Sequence, residues 1–173
     1  MSDEELEGKT SVAGLSSSRF REVLGHFASG LTIVTAVDPQ GPVGFTCQAF
    51  MSLSLDPPLI ALAPGKSSTS WPRIAPVRNV CVNILSDTQE ALCRDFAVSG
   101  ADKGDKFAGV GWKPGPAGAP ALDGVLAWIG CRVLRSHDAG DHELVVAEVT
   151  DTFVDPQAQP LLFYRGGFGR FEV

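Results

Sequence analysis

Basic residues are the scarcer charge in this chain: 14 Lys and Arg stand against 20 Asp and Glu, a formal net charge of -6. Such a surface repels phosphodiester backbones, which counts against a nucleic-acid partner. Long apolar runs are lacking as well. None approaches the roughly 20 residues of a membrane-spanning helix, so no membrane role is expected. The opening residues, MSDEELEGKT, are acidic where a secretory leader is basic and then apolar, and a cytoplasmic location is expected. Cysteine is limited to Cys47, Cys81, Cys93 and Cys131, with no CxxC pair. Cys81 and Cys131 sit in apolar, strand-like runs, so reduced and packed thiols are expected rather than a disulfide framework. The 3 histidines form no cluster with the cysteines, and a zinc site is not expected. No serine or cysteine is tied to a histidine by a hydrolase motif. There is no GxGxxG after the first strand and no P-loop, so neither standard nucleotide fingerprint applies.

What is present is an ordinary globular balance: 173 residues, 44% hydrophobic and 20% charged, enough for one domain with a real core. Residues 1–15 are expected to be a disordered lead-in and 16–173 a single domain. In SSSRFREVLGHFASG, Phe20, Val23, Leu24 and Phe27 recur at helical spacing, after capping serines and ahead of a stop at Gly30. Strands are expected at 31–37, over the extended run 43–55, and at 58–64 and 79–85. KSSTSWPRIA suits a short helix with Pro72 in its first turn. SDTQEALCRDFA suits a helix with Ser86 and Gln89 at capping-box spacing. The Gly- and Pro-rich stretch 98–122 reads as a long loop. Two long strands around HDAGD and a last strand at PLLFY complete the chain. Strands do not alternate regularly with helices, so a doubly wound parallel sheet is not expected; a small closed antiparallel barrel is.

Four stretches carry candidate chemistry. VGFTCQAFMSLSL has no Lys or Glu, only small hydroxyls, an amide and a thiol beside apolar residues. That composition suits a wall for a flat, partly polar ligand, and equally an edge facing a partner subunit. APGKSSTSW offers a turn that suits either an anion or a simple capped helix with a solvated lysine. GDKFAGVGW combines a charge cluster, including Asp102 and Lys103, with Phe107 and Trp112, which need burial or a partner. In HDAGDHELVVAEV, His142 opens a strand just after a turn, and His137 precedes the turn as a surface residue.

Together the segments FREVLGHFASGLTIVTA, GFTCQAFMSLSLDPPLIAL, SSTSW, VCVNILSDTQEALCRDFA, DKFAGVGW, GAPALDGVLAWIGCRV, GDHELVVAEV and PLLFYRGGF resemble the flavin reductase family. These are small reductase components of two-component flavin-dependent monooxygenases, and the likeness leans towards those serving phenol and steroid-ring hydroxylases. The resemblance covers residues 20 to about 168 in the family's order. It implies a mainly β, split-barrel fold: six antiparallel strands in a Greek key with a few flanking helices, assembled as a homodimer. It implies FAD (or FMN) and NADH as cofactors, and a separate monooxygenase that receives the reduced flavin. FAD is favoured over FMN by the same likeness, and NADH because no Arg cluster for a 2′-phosphate is evident. It places Gly44, Phe45, Thr46, Gln48 and Ala49, then Ser52 and Ser54, along the flavin. Ala63, Pro64 and Gly65 follow, with Ser68, Thr69 and Ser70 at the ribityl-phosphate end. Asp95, Phe96, Lys106 and Phe107 complete the flavin set. His142, which orients without covalent chemistry, and Tyr164, Arg165 and Gly166 are assigned to NADH. One departure is Gln48-Ala49 where many relatives have Asn-Ser, which leaves any hydrogen bond from that serine to the backbone. The alternatives are a flavin-binding protein without reductase turnover and a pyridoxal-phosphate-oxidase-like split barrel.

Overall fold

The computed structural model describes residues 14–99 and 105–171. Most of the expected lead-in, and Asp102 and Lys103, lie outside the described residues. Helix α1, Ser17–Leu24, starts where the Ser16 hydroxyl accepts from the Arg19 backbone N–H at 3.2 Å, and it is capped by Gly25, ahead of the expected stop at Gly30. Its apolar stripe is real, but among the described residues nothing buries it. Phe20, Val23, Leu24 and Phe27 all stay exposed.

The strands in chain order are β1 (Ser29–Gly30), β2 (Thr32–Asp38), β3 (Gly41–Cys47), β4 (Phe50–Leu55), β5 (Pro58–Leu62), β6 (Asn79–Ile84), β7 (Trp112–Pro114), β8 (Pro120–Leu122), β9 (Ala127–Ala139), β10 (His142–Val154), β11 (Leu161–Tyr164) and β12 (Gly167–Arg170). Helix α2 (Trp71–Ile74) lies between β5 and β6, with Pro72 in its first turn, and α3 (Glu90–Ala97) follows β6. The main sheet is antiparallel and has seven strands in the order β3-β2-β6-β9-β10-β5-β4. A smaller sheet, β1-β11-β12, flanks it.

The run 43–55, read as one extended stretch, forms two strands. Phe45 on β3 pairs with Val34 on β2, whereas Phe50 on β4 pairs with Leu62 on β5. β3 and β4 are therefore the two outer edges of the sheet, and Gln48-Ala49 passes directly from one to the other. Counted as one bent strand, the pair gives the six-stranded barrel that the resemblance implies. The barrel interior holds Val34, Phe45, Leu62, Trp71, Ile74, Val82 and Val145. A second cluster, Leu31, Ile33, Leu85, Phe96, Phe107 and Leu161, packs outside it under α3.

The stretch 98–122 is not all loop. Its described part contains the β7–β8 hairpin, with Trp112 opposite Leu122. Buried Asn83 on β6 anchors it: Asn83 Oδ1 accepts from the Leu122 N–H at 2.9 Å, while Nδ2 donates to Ile33 O and Thr35 Oγ1, both at 3.1 Å. Thr35 Oγ1 in turn donates to Pro120 O at 2.6 Å. Gly130 on β9 makes room for the Pro116 ring, which a Cβ there would overlap. The capping box at Ser86 is half formed. The Gln89 side-chain oxygen accepts from the Ser86 N–H at 3.1 Å, but the Ser86 hydroxyl donates to Gly124 O at 2.7 Å and the helix begins at Glu90. At the far side, Arg73 on α2 donates twice to Asp38 at the end of β2, at 2.7 and 2.9 Å.

Candidate functional site

Where the chain crosses from β3 to β4, the two strand edges part and a cavity of about 1080 Å³ opens. Its floor is Phe45, Thr46 and Cys47 of β3, the Gln48-Ala49 corner, and Phe50 and Met51 of β4. One side is the end of β5 and the loop after it: Ala61, Leu62, Ala63, Pro64 and Gly65, then Ser67, Ser68 and Ser70. Phe96 and Ala97 close it from α3, with Ser99 and Lys106 beyond. Arg21, Leu24 and Gly25 border it from α1, followed by Phe27 and Ser29, and His142, Leu144, Phe163 and Gly166 complete the rim. Among the described residues, none of the lining side chains is Asp or Glu. The charged groups are Arg21 and Lys106, and His142 lines the cavity as well, in a chain whose net charge is -6.

The polar groups of the wall are largely held by the protein itself. Thr46 Oγ1 donates to Cys93 O at 2.7 Å, and Gln48 Nε2 donates to Ser29 Oγ at 3.0 Å, tying the corner to α3 and to β1. The Ala49 carbonyl accepts from the Ala63 N–H at 2.9 Å, which clamps the corner to the opposite wall. Ser68 Oγ accepts from the N–H groups of Ser70 and Trp71, at 3.3 and 3.1 Å, and so caps the short α2. Lys106 Nζ donates to Phe96 O at 3.1 Å, across the end of α3. Burial pushes the Cys47 thiol up to about 11, so it is an inert part of the wall.

His142 opens β10 at the rim. It is bridged to Gly65, and a Cβ on Gly65 would lie 3.6 Å from its Nε2. Its Nδ1 is 2.7 Å from Asp141 Oδ1, and that hydrogen bond holds the Asp141 carboxyl below its ordinary value. The turn is fixed from below. Lys66 Nζ donates to the Asp138 carboxylate, the Lys66 N–H to Asp141 O at 2.9 Å, and the Glu143 N–H to Pro64 O at 3.0 Å. The lysine of APGKSSTSW is thus paired with the hairpin turn.

Several of the sequence-expected residues stand off the cavity. Gly44 lies behind Phe96, where a Cβ would come 2.9 Å from Phe96 Cε1. Phe107 is buried and packs edge-on to Phe96, ring centroids 5.1 Å apart, and to Trp112. Ser52 and Ser54 are on β4 opposite Ile60 and Leu59. Thr69, Asp95, Tyr164 and Arg165 flank the cavity without lining it. Tyr164 packs edge-on to His26, and the Arg165 N–H donates to Gly25 O at 2.8 Å. The α1 wall, Arg21, Leu24, Gly25 and Phe27, was not expected. Its apolar spacing marks an amphipathic helix without saying what the stripe faces, and the signal that could have found it is the FREVLGHF segment of the resemblance.

The fold is thus a split antiparallel barrel with a cavity at its corner, and the described residues lining that cavity include no carboxylate. Residues 24–172 match the family described as flavin reductase like domain. The chain is 41% identical over 172 residues to HsaB, the reductase subunit of a flavin-dependent monooxygenase of Rhodococcus jostii (strain RHA1), covering 99% of this chain and 87% of that one. It is similar in structure to nitrilotriacetate monooxygenase component B from Mycobacterium thermoresistibile, with a TM-score of 0.84, 45% identity, and coverage of 90% and 86% of the two chains. It is also similar to the Streptomyces globisporus C-1027 NADH:FAD oxidoreductase SgcE6, with a TM-score of 0.84, 34% identity, and coverage of 90% and 93%. The chain belongs to the flavin reductase family.

Proposed function

We propose that the cavity holds FAD against the Phe45–Ala49 corner, and that this flavin reductase uses NADH and passes the reduced flavin to a separate monooxygenase. The observation that carries the reading is the cavity's charge. An acidic chain has kept carboxylates off the described walls of a large cavity and put Arg21, Lys106 and His142 on them. Electrostatics there favour phosphate-bearing ligands. The lining fits such a cofactor: apolar Ala63, Pro64 and Phe50 for a flat ring system, with Lys106 at the α3 edge for its phosphates.

A bound flavin supplies the two-electron acceptor for hydride from the nicotinamide. The protein's part is placement. The Gln48-Ala49 corner is held from both sides by hydrogen bonds, so it offers a fixed surface. His142, steadied by Asp141 and backed by Gly65, stands at the mouth to orient the nicotinamide. No acid or base is needed for direct hydride transfer.

A homodimer belongs to the same reading. Leu24 and Phe27 border the cavity yet are exposed, Phe27 to 80%, and a second copy lying over α1 would cover them and close the open side. The cytoplasm, where NADH is made, suits four buried, unpaired thiols.

The test is to mix protein with NADH or NADPH and with FAD or FMN, and to follow the nicotinamide absorbance. Flavin-dependent loss, fastest with NADH and FAD, is expected. Flavin binding without that loss would leave a flavin-binding protein with no turnover.

A further inference from the structure

We infer that Arg21 is the cation that takes the pyrophosphate of the reduced nicotinamide dinucleotide, and so decides which hydride donors the cavity accepts. This rests on the reductase reading above. Arg21 lies three and four residues before Leu24 and Gly25, one face of α1, and all three line the cavity. That face is held in register because Gly25 O accepts from the Arg165 N–H, in the turn that carries Gly166 to the rim. The guanidinium is therefore presented by a helix docked at one point, not by a loose loop.

Position separates Arg21 from Lys106, the other cation of the described walls. Lys106 sits at the α3 end, with its Nζ on Phe96 O. Arg21 sits on the His142 side: its charge reaches the Asp141 carboxyl, which already has His142 as its hydrogen-bond partner. Among the described residues Arg21 makes no ion pair, whereas Arg19, its neighbour in sequence, is paired with Glu22. A guanidinium presents a planar fork of donors that matches phosphate oxygens two at a time. With the nicotinamide ring at His142, the pyrophosphate of the same molecule is the anion in reach of α1.

The test uses the full-length protein, Arg21→Gln and Arg21→Lys. Steady-state rates are measured against NADH and against 1-benzyl-1,4-dihydronicotinamide, a hydride donor with no phosphate. Riboflavin, FMN and FAD are titrated separately by fluorescence. For Arg21→Gln the KM for NADH is expected to rise about tenfold, the scale of one charge-assisted hydrogen bond, with the benzyl donor's KM and all three flavin affinities unchanged. Arg21→Lys is expected to recover part of the loss. An equal loss with both donors would overturn the assignment, because phosphate would then not be what Arg21 recognises. So would a loss confined to FMN and FAD against riboflavin, which would move Arg21 to the flavin phosphate. If the parent protein consumes no NADH in the presence of any flavin, the reductase reading itself has failed; that is read from the parent alone.

Discussion

His142 and Gly44 show how differently two residues can serve one site. His142→Ala removes a ring that stands at the mouth without being buried. Small misplacements of a hydride donor cost on the order of 10²-fold, so turnover with NADH is expected to fall by up to about that factor while flavin titrations stay unchanged. His137→Ala is the control, because His137 is exposed on β9 opposite Leu144, across the turn from the cavity. Equal behaviour of the two variants would remove His142 from the site. Gly44 acts from behind the wall. Valine there would press on Phe96 and, at 3.1 Å from its Cβ, on the Val34 carbonyl. Gly44→Val is expected to cost about 1–3 kcal/mol in denaturant unfolding and to weaken flavin binding by shifting Phe96. Unchanged flavin affinity would show that Phe96 is not a working part of the wall. Much of the candidate site was legible through the family resemblance: Phe45, Thr46, Gln48, Ala49, Ala63, Pro64, Gly65, Lys106 and His142 all line one cavity. The sequence could not separate a residue facing the cavity from one a layer behind it, such as Gly44 or Phe107, because both need the same small or aromatic side chain.

Among the elements, local chemistry was readable and long-range pairing was not. Period and caps identified α1 and α3, and the HDAGD turn identified the long hairpin β9–β10. The division of 43–55 into β3 and β4 was invisible, because both halves are extended and only their partners differ. The β7–β8 hairpin was hidden for a related reason: Asn83, distant in sequence, holds it in place. Asn83→Leu would leave the Leu122 N–H and its neighbours without their buried partner. A loss of about 1–3 kcal/mol per orphaned group is expected, read as a lower unfolding midpoint, with the hairpin loosened first. A second element-level test is pH. Arg73 beside Asp38 holds that carboxyl down at about 2, against an ordinary 3.8. A depressed carboxylate contributes stability that is fully present above its unfolded value and is lost as pH falls through the folded one. The parent should therefore lose stability between about pH 4 and pH 2, and Asp38→Asn should flatten that slope in acid unfolding curves. A variant with the parent's slope would mean that the pair linking β2 to α2 contributes nothing.

On the scale of the whole molecule, the exposed stripe of α1 and the outer strand β4, with Leu55 91% exposed, are surfaces that the described residues of one copy leave uncovered. Sedimentation at assay concentration is expected to give about twice the 18.2 kDa of one chain. Phe27→Glu should shift it towards the single chain and weaken flavin binding together. A fully active single chain would contradict the dimer. The corner at Gln48-Ala49 has one more consequence. It is both the floor of the cavity and the direct link between the sheet's two outer edges, so a ligand lying on it braces strands that share no hydrogen bonds. Amide deuterium uptake should report this. Saturating flavin is expected to slow uptake across 44–54 and leave β6, already between two neighbours, unaffected. The cofactor would then act as the missing rung between the two ends of an unclosed ladder.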